Sequence, residues 1–191
     1  MHDQPNFADM LAGAQDGEDW AVGYLWRAHH PLVLRFLRVR HHADDVEDVA
    51  SEVWLRVSRS LGRFAGTEGQ FRAWLFSLAR ATSVDFYRRA GRRREQLSEQ
   101  LEAPSTAPAD DPEHAAIEAM GTAAAVRMLA SLPVDQAEVI ALRVIAGLDT
   151  ERVAEIVGKR PGTVRVLQHR GLQRLAVRLE REGVGASPVT R

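Results

Sequence analysis

Residues 95–114, EQLSEQLEAPSTAPADDPEH, constrain this 191-residue chain more than any other stretch, because they cannot belong to a packed core. They hold three prolines, few large apolar residues and no hydrophobic period beyond the first turn. Such a segment predicts a mobile linker over 96–115. The chain then divides into two small units, 1–95 and 116–182, each with its own apolar pattern. The short Gly- and Pro-containing end, 183–191, reads as a disordered tail.

Helical periodicity accounts for most of both units and strand signals are nearly absent, so the fold class expected is all-α. In the first unit, Asp19 to His29 and Pro31 to Arg40 read as two helices broken at the proline, with Leu32, Val33, Phe36 and Leu37 buried. A further helix runs from Asp44 to Leu61, where Val46, Val49, Ala50, Val53 and Val57 fall on one face. A Gly-containing loop, Arg63 to Gln70, leads into another from Gln70 to Arg89 whose core stripe is Phe71, Trp74, Leu75, Leu78 and Thr82.

In the second unit, GLDTERVAEIVGKRPGTVRVLQHRGLQRL, from Gly147 to Leu175, reads as a helix-turn-helix with a basic second helix. Ala154 is small where two helices approach, Gly158 permits the positive φ of a tight turn, and Val164 packs the second helix back. Pro161 suits a first helical position, where its missing N–H costs nothing. Between Lys159 and Arg181 lie seven Lys or Arg against one acid, Glu180. Arg165, Arg170, Arg174, Arg178 and Arg181 recur along the helix, a stripe suited to phosphate and base contacts.

The net charge of −1 hides this polarity, since the charges are segregated. Arg80 to Arg94 holds six Arg and one acid, whereas Glu95 to Glu118 holds seven acids and no Lys or Arg. On the Gln70–Arg89 helix, Phe76 and Tyr87 are interleaved with Arg72, Arg80, Arg88 and Arg89, followed by Arg92, Arg93 and Arg94. Each aromatic by itself suits ordinary packing, while aromatics set among arginines also suit a groove for single-stranded or opened DNA. On the Asp44–Leu61 helix, Asp44, Asp48 and Glu52 form an i, i+4 row of like charge, which disfavours an isolated helix by a few tenths of a kcal/mol per pair. The first two acids suit a helix N-terminus and Glu52 can pair with Arg56; alternatively the row faces a basic partner.

Other function classes lack their residues. With no Cys there is no disulfide framework, thiolate zinc site or cysteine nucleophile, and the doublets His29-His30 and His41-His42 lack metalloprotease spacing. There is no GxSxG elbow, and the one Lys, Lys159, follows Gly158 without a phosphate-loop signature. No enzyme activity, metal or cofactor is expected. Hydrophobics at 45 % and charges at 27 % describe a soluble protein, no apolar run spans a bilayer, and the first twenty residues carry five acids and no Lys or Arg. Cytoplasmic residence without membrane insertion is the expectation.

Three segments together, DDVEDVASEVWLRV, FRAWLFSLARATSVDFYRRAGRRR and LASLPVDQAEVIALRVIAGLDTERVAEIVGKRPGTVRVLQHRGL, resemble the extracytoplasmic function (ECF) sigma factors of bacterial RNA polymerase. They cover about three-quarters of the chain in the family's order, with the linker in the family's place. The resemblance implies a four-helix domain that docks on the clamp of the polymerase's largest subunit and reads the minus-10 promoter element. It implies a second domain that lies at the flap region and reads the minus-35 element. It also implies control by an anti-sigma factor.

Carried over by residue, the resemblance assigns polymerase binding to Asp44, Asp48, Glu52, Trp54 and Arg56. Minus-10 contacts fall to Phe64, whose loop in relatives captures a flipped base, and to Arg80, Tyr87, Arg88, Arg89, Arg92 and Arg93. Trp74 and Leu75 match a buried pair, and Leu132 and Pro133 match the start of the second domain. Minus-35 contacts fall to Lys159, Arg160, Thr163, Arg165, Gln168, His169, Arg170 and Arg174, with Thr163 and the helix N-terminus on phosphate and Arg165, His169 and Arg170 nearest the bases. Three departures bear on specificity. Ala81 stands where many relatives have Asn, Ser51 where Gln is common, and Val166-Leu167-Gln168 where Ser-Arg-Leu is frequent; Leu167 then takes over packing and Gln168 turns toward DNA. A stand-alone helix-turn-helix repressor or activator would suit the second unit but leaves the acidic row, the Arg cluster and the linker without a role. An adaptor that sequesters partners would suit the acids but not the basic helix.

Overall fold

The computed structural model describes residues 6–97 and 116–181. The linker expected from residue 96 lies, beyond Leu97, outside the described residues, as does the expected tail over 183–191. The first unit comprises α1 (Phe7–Gln15), α2 (Asp19–Arg38), α3 (Ala43–Ser60), a 3-10 turn (Leu61–Arg63) and α4 (Glu68–Leu97). The second comprises α5 (Ala116–Ala130), α6 (Val134–Val144), α7 (Thr150–Val157) and α8 (Pro161–Arg181). Among the described residues there is no strand, so the all-α reading holds.

The break expected at Pro31 is absent: α2 is one helix with the proline inside it. A mid-helix proline removes one backbone hydrogen bond and costs about 3 kcal/mol. Here the apolar stripe stays in register across it. Ala21, Leu25, His29, Val33, Phe36 and Leu37 are all buried, and each fully buried large side chain returns about 1.5–3 kcal/mol. Continuity of the buried face therefore outweighs the lost bond. Helix α1, not foreseen in the sequence, supplies the fourth member of the bundle. Asn6 caps it, accepting from the Asp9 N–H at 3.0 Å, and its last residue, Gln15, donates to the Leu61 and Phe64 carbonyls at 2.9 and 2.7 Å.

Helix α3 buries Val46, Val49, Ala50, Val53 and Val57, the five positions its periodicity gave. Helix α4 buries Phe71, Leu75, Phe76, Ala79, Thr82 and Ser83, while Trp74 and Leu78 are half-buried. Phe76 is a packing residue, set edge-on to Phe36 with centroids 5.5 Å apart. The start of α4 is fixed by a capping box: the Gln70 side chain accepts from the Thr67 N–H at 2.8 Å, and Thr67 accepts from the Gln70 N–H at 3.4 Å.

In the second unit Asp149 caps α7, accepting from the Arg152 N–H at 2.7 Å. Gly158 ends that helix in the left-handed region at φ 67°, which a residue without Cβ adopts freely. Ala154 and Val164 are buried at the crossing. Gly171 lets α8 close on α6: a Cβ there would lie 2.5 Å from Ile140 Cδ1. Helix α6 is buried throughout from Gln136 to Leu142, more than packing on α8 alone requires. Helix α7 also packs on α4, and α5 on α2, so the buried residues of the two units join in one cluster.

Candidate nucleic-acid interface

The second helix of the helix-turn-helix buries Val164 and Gly171 and half-buries Leu167 and Leu175. Its opposite face is left open: Gly162, Thr163, Arg165, Val166, His169, Arg170 and Gln173 are exposed. The register follows from 3.6 residues per turn, because Val164, Leu167, Gly171 and Leu175 share the inner stripe. Of the expected minus-35 set, Arg160, Thr163, Arg165, His169, Arg170 and Arg174 are exposed, whereas Lys159 and Gln168 are half-buried. Lys159 pairs with Asp135 at 3.0 Å, Arg165 with Glu151 at 3.1 Å, and Arg174 donates to Gln136 at 3.0 Å. Exposed pairs such as Arg165–Glu151 are worth at most about 1 kcal/mol, so the guanidinium is available to a stronger anion. Val166, 47 % exposed, is a further residue of this face, one that the pattern of basic residues does not mark. An apolar side chain on this face can meet a thymine methyl group.

In the first unit the arginines of α4 have different surroundings. Arg88 and Arg92 are exposed, and Arg92 Nε donates to the Arg88 carbonyl at 3.3 Å. The Arg93 side chain lies outside the described residues. Arg89 reaches Glu52 at 3.2 Å, and Arg80 reaches Glu138 of α6 at 3.2 Å. Tyr87, 42 % exposed, stacks on His41 with centroids 4.6 Å apart. Phe64 is half-buried beside Phe71 and Trp74, 5.6 and 5.1 Å away, which fixes the loop leading into α4.

His41 is nearly buried and hydrogen-bonds Ser83 Oγ at 2.7 Å. Burial, helped by the neighbouring Arg40 guanidinium, lowers its pKa to about 4. It is therefore neutral at pH 7 and serves as a stacking plate for Tyr87. Burial raises the Tyr87 pKa, keeping that phenol protonated.

Of the five expected polymerase contacts, the four charged ones fall into two groups. Asp44 and Asp48 are exposed on α3 beside Glu47, another exposed acid that the i, i+4 pattern did not include. Glu52 and Arg56 instead turn toward α4, where Arg56 bridges Glu52 at 2.9 Å and Asp85 at 3.0 Å. Partial burial works to raise the Glu52 pKa, but hydrogen bonds from Arg56 and Arg89 outweigh it and hold the carboxyl below its usual value. Trp54 is half-buried, its Nε1 donating to His30 Nδ1 at 3.0 Å, and His30 stacks on Trp26 at 4.4 Å. Trp26 is 45 % exposed and Leu55, the residue after Trp54, 51 %. An aromatic run thus lies beside the acidic edge of α3.

The capped helix-turn-helix and its open basic face define a DNA-binding protein built from two helical units. Comparison with known proteins gives the family. Residues 25–93 match Sigma-70 region 2 and residues 122–175 match Sigma-70 region 4. The ECF RNA polymerase sigma factor SigD of Mycobacterium tuberculosis is 36 % identical over 171 residues, covering 87 % of this chain and 80 % of SigD. The ECF RNA polymerase sigma factor ShbA of Streptomyces griseus is 35 % identical over 170 residues, covering 85 % of this chain and 89 % of ShbA. The chain belongs to the ECF sigma factors. Its fold is also similar to that of CnrH, solved with the cytosolic domain of CnrY, with a TM-score of 0.61 and 22 % identity over 90 % of this chain and 96 % of that one. Among the described residues no helix is long and apolar enough to cross a membrane.

Proposed function

We propose that this chain is the promoter-specificity subunit of a bacterial RNA polymerase, binding core enzyme with one unit and reading DNA with both. The observation that carries the reading is α8, whose inner stripe is packed while Thr163, Arg165, Val166, His169 and Arg170 stand open on the outer face. In this reading Arg165, His169 and Arg170 face the bases of the minus-35 element, and Lys159, Arg160, Thr163 and Arg174 hold backbone phosphates. Arg80, Tyr87, Arg88, Arg89, Arg92 and Arg93 of α4, with Phe64 ahead of it, take the minus-10 element. Asp44 and Asp48, with Trp54 behind them, meet the polymerase clamp, and the second unit meets the flap. An anti-sigma factor belongs to the same proposal, as the Bartonella quintana sigma factor RpoE was solved with the anti-sigma factor NepR.

Selection of promoters in transcription by core polymerase, over a genomic fragment library with and without the chain, tests this. Promoter-dependent transcripts that require the chain are expected. Arg165→Ala and Arg170→Ala should each cut initiation at those promoters about tenfold or more, since a bidentate base contact discriminates by roughly 1–3 kcal/mol. Parental initiation by both variants would remove α8 from promoter reading.

A further inference from the structure

Besides the open face of α8 and the acidic edge of α3, the described residues offer an apolar crevice between α1, α2 and α3, a groove between α4 and α7, and a charged contact between the two units. The contact carries an inference. Glu138 of α6 is 2 % exposed, and its Oε1 accepts from Arg40, just after α2, and from Arg80 of α4 at 3.2 Å. Neither arginine belongs to the same unit as the acid. Arg40 Nε is buried with no hydrogen-bond partner.

Two guanidinium groups converging on one oxygen form an anion site whose donors outnumber what a carboxylate takes up. A DNA backbone phosphodiester, like the carboxylate, spreads one negative charge over two terminal oxygens, so it can take the place of Glu138 on the same forked donors. The site also adjoins the DNA face. Arg80 and Tyr87 are seven residues apart, two turns along one face of α4, and Tyr87 stacks on His41, the residue after Arg40.

Resting on the reading of α4 as a DNA face, we propose that Arg40 and Arg80 form a binding site for a DNA backbone phosphate. In the free chain Glu138 fills that site. The second unit then acts as a tethered competitor, and separating the units is the same event as exposing the site. Such an exchange is close to balanced, because a buried ion pair gives back in desolvation most of what it gains by attraction. The closed chain is accordingly held in one register without being locked.

The absence of cysteine permits a direct test. Ser58→Cys and Ser131→Cys, both at exposed positions on different units and off the DNA-facing surface of α8, carry a donor and an acceptor dye on the full chain. The binding probe is a labelled duplex of random sequence, since a phosphate contact is indifferent to sequence. In Glu138→Gln, energy transfer should fall, duplex affinity should rise about tenfold and its dependence on salt should steepen. Adding Arg40→Gln or Arg80→Gln to that background should leave the dyes apart, reverse the gain and lower the salt slope by about one. Unchanged energy transfer in Glu138→Gln, or separated dyes with parental affinity, overturns the proposal. Should Glu138→Gln lose its cooperative melt, the Arg40→Gln, Arg80→Gln double variant opens the contact from the other side. It must then show low energy transfer with no gain in DNA binding, and a chain that stays closed counts against the site. Initiation by the parent chain on core polymerase tests the sigma-factor reading separately, so the two can fail independently.

Discussion

At the scale of single residues, two positions convert local chemistry into measurable stability. Gly158 holds φ 67° and ψ 36° after α7, and a Cβ built there meets nothing within 4 Å. Space is therefore no obstacle to a side chain, and only backbone strain remains. Gly158→Ala should cost about 1–2 kcal/mol in urea unfolding; a variant as stable as the parent would show that the left-handed turn is not what selects glycine. This turn was legible because glycine before Lys-Arg-Pro marks a helix end in the sequence itself. His41 was not legible, since a His doublet gives no sign of which ring enters the core. Its pKa in the fold is lowered to about 4 from an ordinary 6.5, so between these values the unfolded chain binds a proton that the folded chain refuses. The sign is then fixed: stability is full above about pH 6.5 and declines as the pH falls toward 4. Lowering of the His29 pKa by burial acts in the same direction. The loss attributable to His41 should be on the order of 1–3 kcal/mol. Urea midpoints at a series of pH values should slope downward below pH 6.5 in the parent and less so in His41→Phe, and equal slopes would remove His41 as the cause.

Elements show what hydrophobic period can and cannot carry. Helix α3 was readable position by position, because one face is packed, one is wet and nothing interrupts the pattern. Pro31 misled the reading of α2, because a local penalty known from sequence was set against burial energy that exists only once α3 and α4 are in place. Helix α1 gave little signal, with Met10, Leu11 and Ala14 buried only by its neighbours. The acidic row on α3 separates for a similar reason. Spacing alone put Asp44, Asp48 and Glu52 together, but the partners of Glu52 come from α4. Asp48→Ala should accordingly leave the melt within about 0.5 kcal/mol of the parent while weakening core-polymerase binding by a factor of several. Glu52→Ala loses contacts to both Arg56 and Arg89 and should cost about 0.5–1 kcal/mol. A core-binding titration beside thermal melts separates these outcomes. Full polymerase affinity in Asp48→Ala would return the exposed acids to a role in solvation alone.

Over the whole molecule, the order of the two units and the split of α8 into a packed and an open face were legible, whereas the contact between the units was not. An acid in an amphipathic helix reads as solvated, and the bonds from Glu138 to Arg40 and Arg80 span 98 and 58 residues of sequence. No local pattern encodes such a pairing. It nevertheless bears on how the chain meets a promoter. On the proposed reading, each unit offers contacts that gain mainly by releasing counterions, so each alone should bind weakly and with steep salt dependence. Joining the units would ordinarily raise the effective concentration of the second contact, but residues 98–115 include five acids, which repel DNA. The closed arrangement adds to this by engaging Arg80. Docking both units on polymerase would hold them apart and fix their spacing, converting two weak contacts into one specific one. A labelled promoter duplex titrated at physiological salt should therefore bind the free chain poorly and the chain with core polymerase at least a hundredfold more tightly, an increment of about 2.7 kcal/mol. Tight, sequence-specific binding by the free chain would instead mark a protein that regulates promoters by itself.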